Sequence, residues 1–374
     1  MSSNSQWARE TATTIVKHFG ELENAALRKY KTFTLIDENG NVSFNNGGLG
    51  FDWEVRFRNH NVVGNNGETR RVWNRQNLWQ TAELDYRGYQ LTDSITTKEL
   101  ESNKGPQAKI KLAAKMVSRM EGSFNDFLSR QVWIDGNASG NELSWHGVES
   151  FMNATQTINV STGAARTANA ADPVGYSNDS YAGLSTVLGA VGGAQTSGVW
   201  PAGVADHEFD YYTPVIVNYT STYFGGATPT WKNQCIEAMR FGLFHTKRND
   251  SQDEGVDMIV LDRALYVDFL NRQDSKERVI VSDAKRLRNF GFNDVVSFDG
   301  GVEVTTEYGV PANCGYLLNT KKMEILCMQG KLLSPDPEMP IYNEDYQEYR
   351  YALSTLSNLK FASPRNFGKL VALT

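Results

Sequence analysis

Apolar and polar positions along this chain follow two periods, and the longest regular stretch is helical. Between Gly105 and Asp135, Ile110, Ala113, Val117, Met120, Phe124 and Phe127 recur at steps of three or four, which draws one apolar stripe down a helix. Pro106 suits the first helical position, and Lys109, Lys111, Lys115, Arg119 and Arg130 lie mostly off the stripe. About thirty residues at ~1.5 Å rise make a rod roughly 45 Å long, beyond the usual globular length. Gly122 is where such a rod is expected to bend. One stripe of this length needs a long floor, either sheet in the same chain or a neighbouring subunit.

Period two governs the next clearest element. Phe51 to Arg58 alternates without a fault, so Phe51, Trp53, Val55 and Phe57 share one face. Turn signals at His60-Asn61 and Gly64-Asn65-Asn66-Gly67 reverse the chain. The returning arm runs through Val72-Trp73 and from Leu78-Trp79 to Tyr89. Ala82, Leu84 and Tyr86 hold one face before Tyr89 and Leu91 take the other phase, as a bulge at Gly88 produces. The polar side is arginine-rich: Arg56, Arg58, Arg70, Arg71 and Arg75 stand against Glu68 alone between positions 56 and 75. A two-stranded ribbon is marginal by itself, so its aromatic face, with Trp53, Trp73 and Trp79, needs a cover. Aromatics with arginine suit a protein interface. An ordinary hairpin packed on its own domain fits the same pattern.

The flanking chain reads more coarsely. An arm spans 1–45, with Ala12, Ile15, Val16, Phe19, Leu22, Ala26 and Leu27 at helical spacing between Trp7 and Tyr30 and a turn at Asp37 to Gly40. Beyond the rod, Trp133 to Asp210 turns to Gly, Ala, Thr and Asn, with an exposed loop expected over Gly163 to Asp172. Tyr211-Tyr212 and Val215-Ile216-Val217 resume strand-like runs. Thr230 is placed to cap a helix to about His245, with Cys235, Ile236, Met239 and Leu243 on one side. Asp257 to Leu261 reads as a buried strand and Asp262 as the cap of the helix that follows it, to Leu270. Further strands are expected at Val302 to Thr306, Gly315 to Leu318 and Glu324 to Met328, which makes 226–335 a compact α/β or α+β subdomain. Pro335, Pro337 and Pro340 break the chain, and Glu348 to Phe361 returns to alternation as a long terminal strand.

Composition narrows the classes. At 374 residues with 40% hydrophobic and 21% charged content, the chain is globular and large enough for more than one substructure. A net charge of −6 argues against a protein whose main task is gripping phosphates. Cys235, Cys314 and Cys327 form no short pair, which fits buried free thiols in a reducing compartment. The first ten residues lack the apolar core of a signal peptide. Ser180 to Ala205 is uncharged but holds six glycines and Pro201, so no membrane span is expected there.

Convergent chemistry is not evident. His18, His60, His146, His207 and His245 are scattered, without the zinc pair at i, i+4. Asp206-His207-Glu208 are neighbours that regular structure would aim apart. Asp135-Gly136-Asn137-Ala138-Ser139-Gly140 imitates a calcium loop, yet His146 holds the twelfth position where a glutamate belongs. Gly189 to Gly193 lacks the phosphate-loop lysine, and Ser185 lacks the second glycine of a nucleophile elbow, because Val187 stands there. No catalytic, metal or cofactor residues are therefore expected, and the balance favours a non-enzyme.

The order of parts carries a resemblance. Amphipathic arm, long two-stranded loop, long helix, glycine-rich connector, mixed subdomain and terminal strand together resemble a tailed-phage major capsid protein of the HK97 type. Ser180-Tyr181-Ala182-Gly183-Leu184-Ser185 upstream of Trp200 is similar to that family's Tyr-x-Gly segment. Asp257 to Arg263 resembles its axial strand-into-helix, and Asn358 to Phe361 with Pro364 to Leu370 resembles a closing segment.

The resemblance implies an α+β fold with an N-terminal arm at 1–45, an extended loop at 46–96, a peripheral domain at 97–225 with its spine helix at 105–135, an axial domain at 226–335 and a return to the peripheral sheet at 336–374. It implies hexamers and pentamers of a closed shell around dsDNA held without sequence preference, with scaffolding, portal and decoration proteins as partners, no cofactor and no membrane. The intersubunit residues would be Trp53, Arg56, Arg58, Arg70, Arg71, Trp73, Arg75 and Trp79. Some relatives weld subunits through a loop lysine, but no lysine occurs here between Lys31 and Lys98, so arginine pairing and stacking would hold neighbours instead. An encapsulin-like compartment shares the implied fold. A cytosolic α/β enzyme and another virion part are the readings from other classes.

Overall fold

A single strand near the C-terminus organises half of this molecule. The computed structural model describes residues 30–58, 60–67, 70–71, 73–102, 106–158, 165–167, 171–190, 211–225, 228–247, 255–276, 285–292, 294–330, 332–335 and 340–373. In chain order these form α1 (Lys31–Glu38), β1 (Val42–Ser43), β2 (Gly50–Arg56), β3 (Trp79–Asp85), β4 (Arg87–Thr96), α2 (Thr97–Ser102) and α3 (Pro106–Gln131). Next come β5 (Ala154–Ile158), β6 (Ala165–Thr167), β7 (Val174–Ser177), β8 (Ser180–Tyr181), β9 (Leu184–Ser185) and β10 (Val215–Asn218). They are followed by α4 (Trp231–Thr246), β11 (Met258–Leu261), α5 (Arg263–Lys276), α6 (Lys285–Asn289), β12 (Val295–Phe298), β13 (Val302–Thr306), β14 (Gly315–Leu318) and β15 (Met323–Cys327). The last strands are β16 (Ser334–Pro335), β17 (Ile341–Asn343), β18 (Glu348–Phe361) and β19 (Gly368–Val371).

The organising strand is β18, whose 14 residues coincide with the alternation read from the sequence. Tyr349, Tyr351, Leu353, Leu359 and Phe361 are buried. One edge of β18 pairs with β4 from Glu348 to Ser357. Its other edge receives β17, β16 and β15 in turn, and β1 adds in parallel to β15. Helix α3 lies on this sheet, with Met116, Val117 and Met120 packed among Ile95, Leu100, Tyr349, Tyr351 and Leu353. The floor for the long helix is thus supplied within the chain.

Helix α3 departs from expectation in three ways. It ends at Gln131 rather than Asp135, where the Val132 carbonyl is taken by the Val148 amide at 2.8 Å, replacing a helical partner. It passes through Gly122 as one continuous helix. Phe127 is 40% exposed while Leu128 takes the core position, and Phe127 meets Tyr89 edge-on at 4.8 Å. The side chains of Ile110 and Ala113 lie outside those described.

A second sheet of nine strands runs in the order β12-β13-β11-β14-β19-β10-β7-β5-β6. Strands β10, β11 and β14 are buried at every residue, as expected of central strands covered on both faces. Trp231, Cys235, Ala238 and Met239 of α4 are buried in the core beside them. The joint of this sheet is β19, antiparallel to β14 on one side and parallel to β10 on the other. A Cβ on Gly368 would lie 2.8 Å from the Leu317 side chain and 2.9 Å from the Val215 carbonyl, so a side chain there would force the strands apart. Between the sheets one large core joins Phe33, Leu35, Ile36, Leu128, Trp145, Phe151, Tyr181, Tyr316 and Phe361.

Other expectations are corrected here. The span read as an exposed loop at Gly163 to Asp172 contains β6 and the buried Asp172, whose carboxylate accepts the Thr157 hydroxyl at 2.8 Å. Thr230 occupies the N-cap of α4 without a side-chain cap bond. The Asp262 carboxylate accepts the Asn313 amide at 3.1 Å. Strand β15, expected in the 226–335 unit, pairs with β18, and β19, expected with the terminal unit, sits in the nine-stranded sheet. The helix expected from Trp7 toward Tyr30 lies outside the described residues.

Candidate intersubunit surface

The ribbon that carries the eight singled-out residues is half anchored and half free. In the hairpin β2–β3, Phe51 faces Leu84, Trp53 faces Ala82 and Val55 faces Gln80 across the register. This inner side packs into the large core. The Trp53 indole donates to the Ala362 carbonyl at 2.9 Å, lies under the Lys360 ammonium at 5.3 Å, and meets Phe51 and Tyr181 at 6.0 and 6.3 Å. Phe57 meets Tyr211 at 5.9 Å, and the Tyr211 hydroxyl donates to Gln80 at 2.8 Å. Of the two readings of the aromatic face, the hairpin packed on its own domain describes Phe51 to Phe57, where residues 181, 211 and 360–362 supply the cover.

Beyond Phe57 the ribbon opens. The Phe57 amide still donates to the Leu78 carbonyl at 3.0 Å, but the described residues from 58 to 78 form no strand, including the Trp73 neighbourhood read as a returning arm. Without a partnered face, the Asn- and Gly-rich stretch holds by local bonds. The Asn61 amide donates to the Gln76 side chain at 3.0 Å. The Gly67 amide donates to Asn65 Oδ1 at 2.7 Å, and Gly67 sits at φ +94°, a conformation glycine adopts without strain.

The structure sorts the eight residues accordingly. Trp53 is half-buried inside its own chain, whereas Arg56, Arg58, Arg70, Arg71 and Arg75 are exposed. Trp79 is 49% and Trp73 86% exposed. Asn61, Val63, Arg70, Arg71 and Trp73 line an open cavity of about 370 Å³ at the tip. Val62 and Val63, not singled out from sequence, are 91% and 71% exposed. Their signal was available: apolar residues flanked by turn formers have no face to join. A cluster of exposed Trp and Val beside arginines is a surface suited to burial against another protein.

The outer side of the hairpin base carries the opposite charge. Asp52, Glu54, Glu83 and Asp85 alternate outward from β2 and β3, with Asp52 directly across from Glu83 and Arg56 across from Trp79. The same alternation that located the aromatic face located these carboxylates, although only the basic residues were singled out from sequence.

Where catalytic chemistry was sought, the geometry is structural. His146 is buried, with Nδ1 2.9 Å from the Asn358 amide and Nε2 3.3 Å from an Arg87 nitrogen. Burial, then the neighbouring Arg87 charge, push its pKa down to about 4. The neutral ring accepts from Asn358 at Nδ1, since Asn358 Oδ1 is already taken by the His146 and Leu359 amides. Asp135 accepts the Asn137 amide at 2.9 Å in a plain turn. Ser185 is half-buried beside the Val187 amide. Asp206-His207-Glu208, Gly192, Gly193 and Trp200 lie outside the described residues. Among the described residues no three His, Cys, Asp or Glu side chains gather as a metal site. None of their helices is long and apolar enough to cross a membrane. Cys235, Cys314 and Cys327 form no disulfide with one another.

No protein-family model and no curated protein matches the chain. Among solved structures it is similar to a chain of the cyanophage A-1(L) capsid asymmetric unit, at 14% identity over 90% of this chain and 93% of that one, with a TM-score of 0.54. It is also similar to a chain from the capsid of a native GTA particle, at 9% identity over 90% of this chain and 89% of that one, with a TM-score of 0.50. At such identities the likeness is one of fold, and the chain has the α+β fold of these capsid chains along nine-tenths of its length.

Proposed function

We propose that this chain is the major capsid protein of a tailed dsDNA phage and self-assembles into the icosahedral shell around the genome. The observation that carries the reading is the fold shared with capsid chains over 90% of the sequence. The exposed tip of the ribbon supports it, because a monomer gains nothing by holding Trp73, Val62 and Val63 in water. In this reading the role is structural, with hexamers and pentamers as the building units. Scaffolding, portal and decoration proteins are the partners, and DNA is contained without specific contact. The particle assembles in the host bacterial cytoplasm and the protein ends in the virion.

The parts follow the same reading: arm 1–45, extended loop 46–96, peripheral domain 97–225 with its spine, axial domain 226–335 and return 336–374, amended by the strand exchange of β15 and β19. The extended loop overlaps a neighbour through its tip, from Arg56 to Trp79. The test is expression of the chain with and without its genomic neighbours, followed by sedimentation and negative-stain microscopy. Closed shells that take up DNA support the proposal. A small discrete oligomer under every condition would refute it, and shells filled with protein cargo would favour an encapsulin-like compartment.

A further inference from the structure

We propose that the two ends of the ribbon are counterparts, so that the arginine-rich tip of one copy docks on the acidic outer face of the β2–β3 hairpin of the next copy. The proposal rests on the shell reading and adds to it the surface that receives the loop. Along this ribbon the charges are segregated. The outer face of the hairpin base carries Asp52, Glu54, Glu83 and Asp85 with Arg56 alone at its tipward end, whereas the span from Arg56 to Leu78 carries five arginines against Glu68 alone. The inner face of the hairpin is filled by the chain's own core, whereas among the described residues nothing covers the exposed Asp52, Glu54, Glu83 and Asp85 on the outer face.

Two physical arguments make the occupant a second copy. First, Asp52 and Glu83 are direct cross-strand partners, and like charges at ~5 Å repel. No ion pair among the described residues engages any of the four carboxylates, so the face is short of cations. Second, the basic tip does not supply them from within. Arg56 alone comes near, ~7 Å along the strand from Glu54 at ~3.3 Å per residue but in no ion pair with it, and it lies ~13 Å from Asp52, beyond the ~8 Å screening length of physiological salt. Between copies the opposite patches can meet directly. Trp79, 49% exposed and facing Arg56 across the register, provides apolar surface at the boundary between them. A surface that carries both donor and acceptor makes a head-to-tail contact, and such contacts generate rings when the rotation closes.

The experiment uses the full chain, expressed with its genomic neighbours, in three charge-reversed forms. One reverses the tip (Arg70→Glu, Arg71→Glu, Arg75→Glu), one the face (Asp52→Lys, Glu54→Lys, Glu83→Lys), and one carries both sets. Particle yield is read by sedimentation and microscopy, and folding by circular dichroism. Each one-sided reversal is expected to lower the yield at least about tenfold, as facing like charges do, and the doubly reversed chain to recover it. Mixing the two one-sided chains should recover rings of even number only, because tip and face then alternate in sign.

Should the face-reversed chain not fold, Asp52→Asn with Glu83→Gln replaces it, with a reduced yield expected. One-sided chains that assemble normally would overturn the docking while leaving the shell reading intact. So would a folded doubly reversed chain as defective as the single ones, or shells normal in number whose tip reversal alters only DNA content. A wild-type chain that forms no particles in any condition overturns the shell reading itself, and this proposal with it.

Discussion

In Trp53→Ala the chain loses an indole that belongs to its own core, whereas Trp73→Ala removes one that nothing among the described residues covers. A fully buried Trp→Ala change costs about 3–5 kcal/mol. Trp53 is half-buried, which reduces that term to about 2 kcal/mol. Its indole hydrogen bond to the Ala362 carbonyl adds about 1 kcal/mol when lost, and the Lys360 ammonium over the ring adds ~0.5 kcal/mol. The expected loss is about 3.5 kcal/mol, large against a typical stability of about 5–15 kcal/mol. Trp73, 86% exposed, is expected to change stability by no more than ~0.5 kcal/mol and yet to impair particle formation. Urea unfolding of the unassembled chain, followed by circular dichroism, gives the first quantity and sedimentation of assembly reactions the second. A Trp53→Ala loss below ~1 kcal/mol would refute the core assignment. Normal particles from Trp73→Ala would refute the tip as an interface.

Further outcomes follow from the buried polar groups and close approaches. His146 stabilises the fold while neutral, so wild-type stability minus that of His146→Gln should be at its full value above pH ~6.5 and fall by about 3 kcal/mol as pH drops toward 4. Glu307, held by Thr32, has its pKa raised to about 7, chiefly by burial. Its contribution runs the other way: wild-type minus Glu307→Gln stability should fall by about 3 kcal/mol as pH rises from ~4.5 to 7. Unfolding series across pH check both, and matching slopes of the same sign would contradict the assignment. Tyr89→Phe should cost about 2 kcal/mol in urea unfolding, because the Tyr89 hydroxyl accepts the Trp145 amide at 2.6 Å and donates to Gln131 at 2.9 Å. Gly147→Ala should cost about 3 kcal/mol or more, since its Cβ would sit 2.5 Å from the Val132 and Ile134 carbonyls; a normal melting curve would show that the elbow can yield.

What the sequence made legible depended on how far each element's signal is local. Strand β18 was readable residue by residue, because one face is buried over its whole length and alternation records that directly. The apolar faces of the hairpin strands were equally plain, but their cross-strand register was not. Helix α1 was missed, since Lys31-Thr32-Phe33-Thr34-Leu35-Ile36 buries nearly every residue and so shows no period. Strands β6 and β19 are 3 and 4 residues long, too short for any pattern to declare itself. The cover over Trp53 comes from positions more than a hundred residues distant, so nothing near Trp53 could announce it. The candidate surface was half legible for the same reason. Composition located the arginines and tryptophans, but only the packing separates the indole that serves the core from those that face solvent.

The place of β19 has a consequence for synthesis. Until Gly368 to Val371 emerge from the ribosome, the nine-stranded sheet exists only as two separate groups, β12-β13-β11-β14 and β10-β7-β5-β6, and β4 waits equally for β18. Pairings this remote in sequence form slowly and late. A nascent chain therefore cannot complete either sheet from its earlier strands alone, and the two strand groups stay unjoined until β19 has been made.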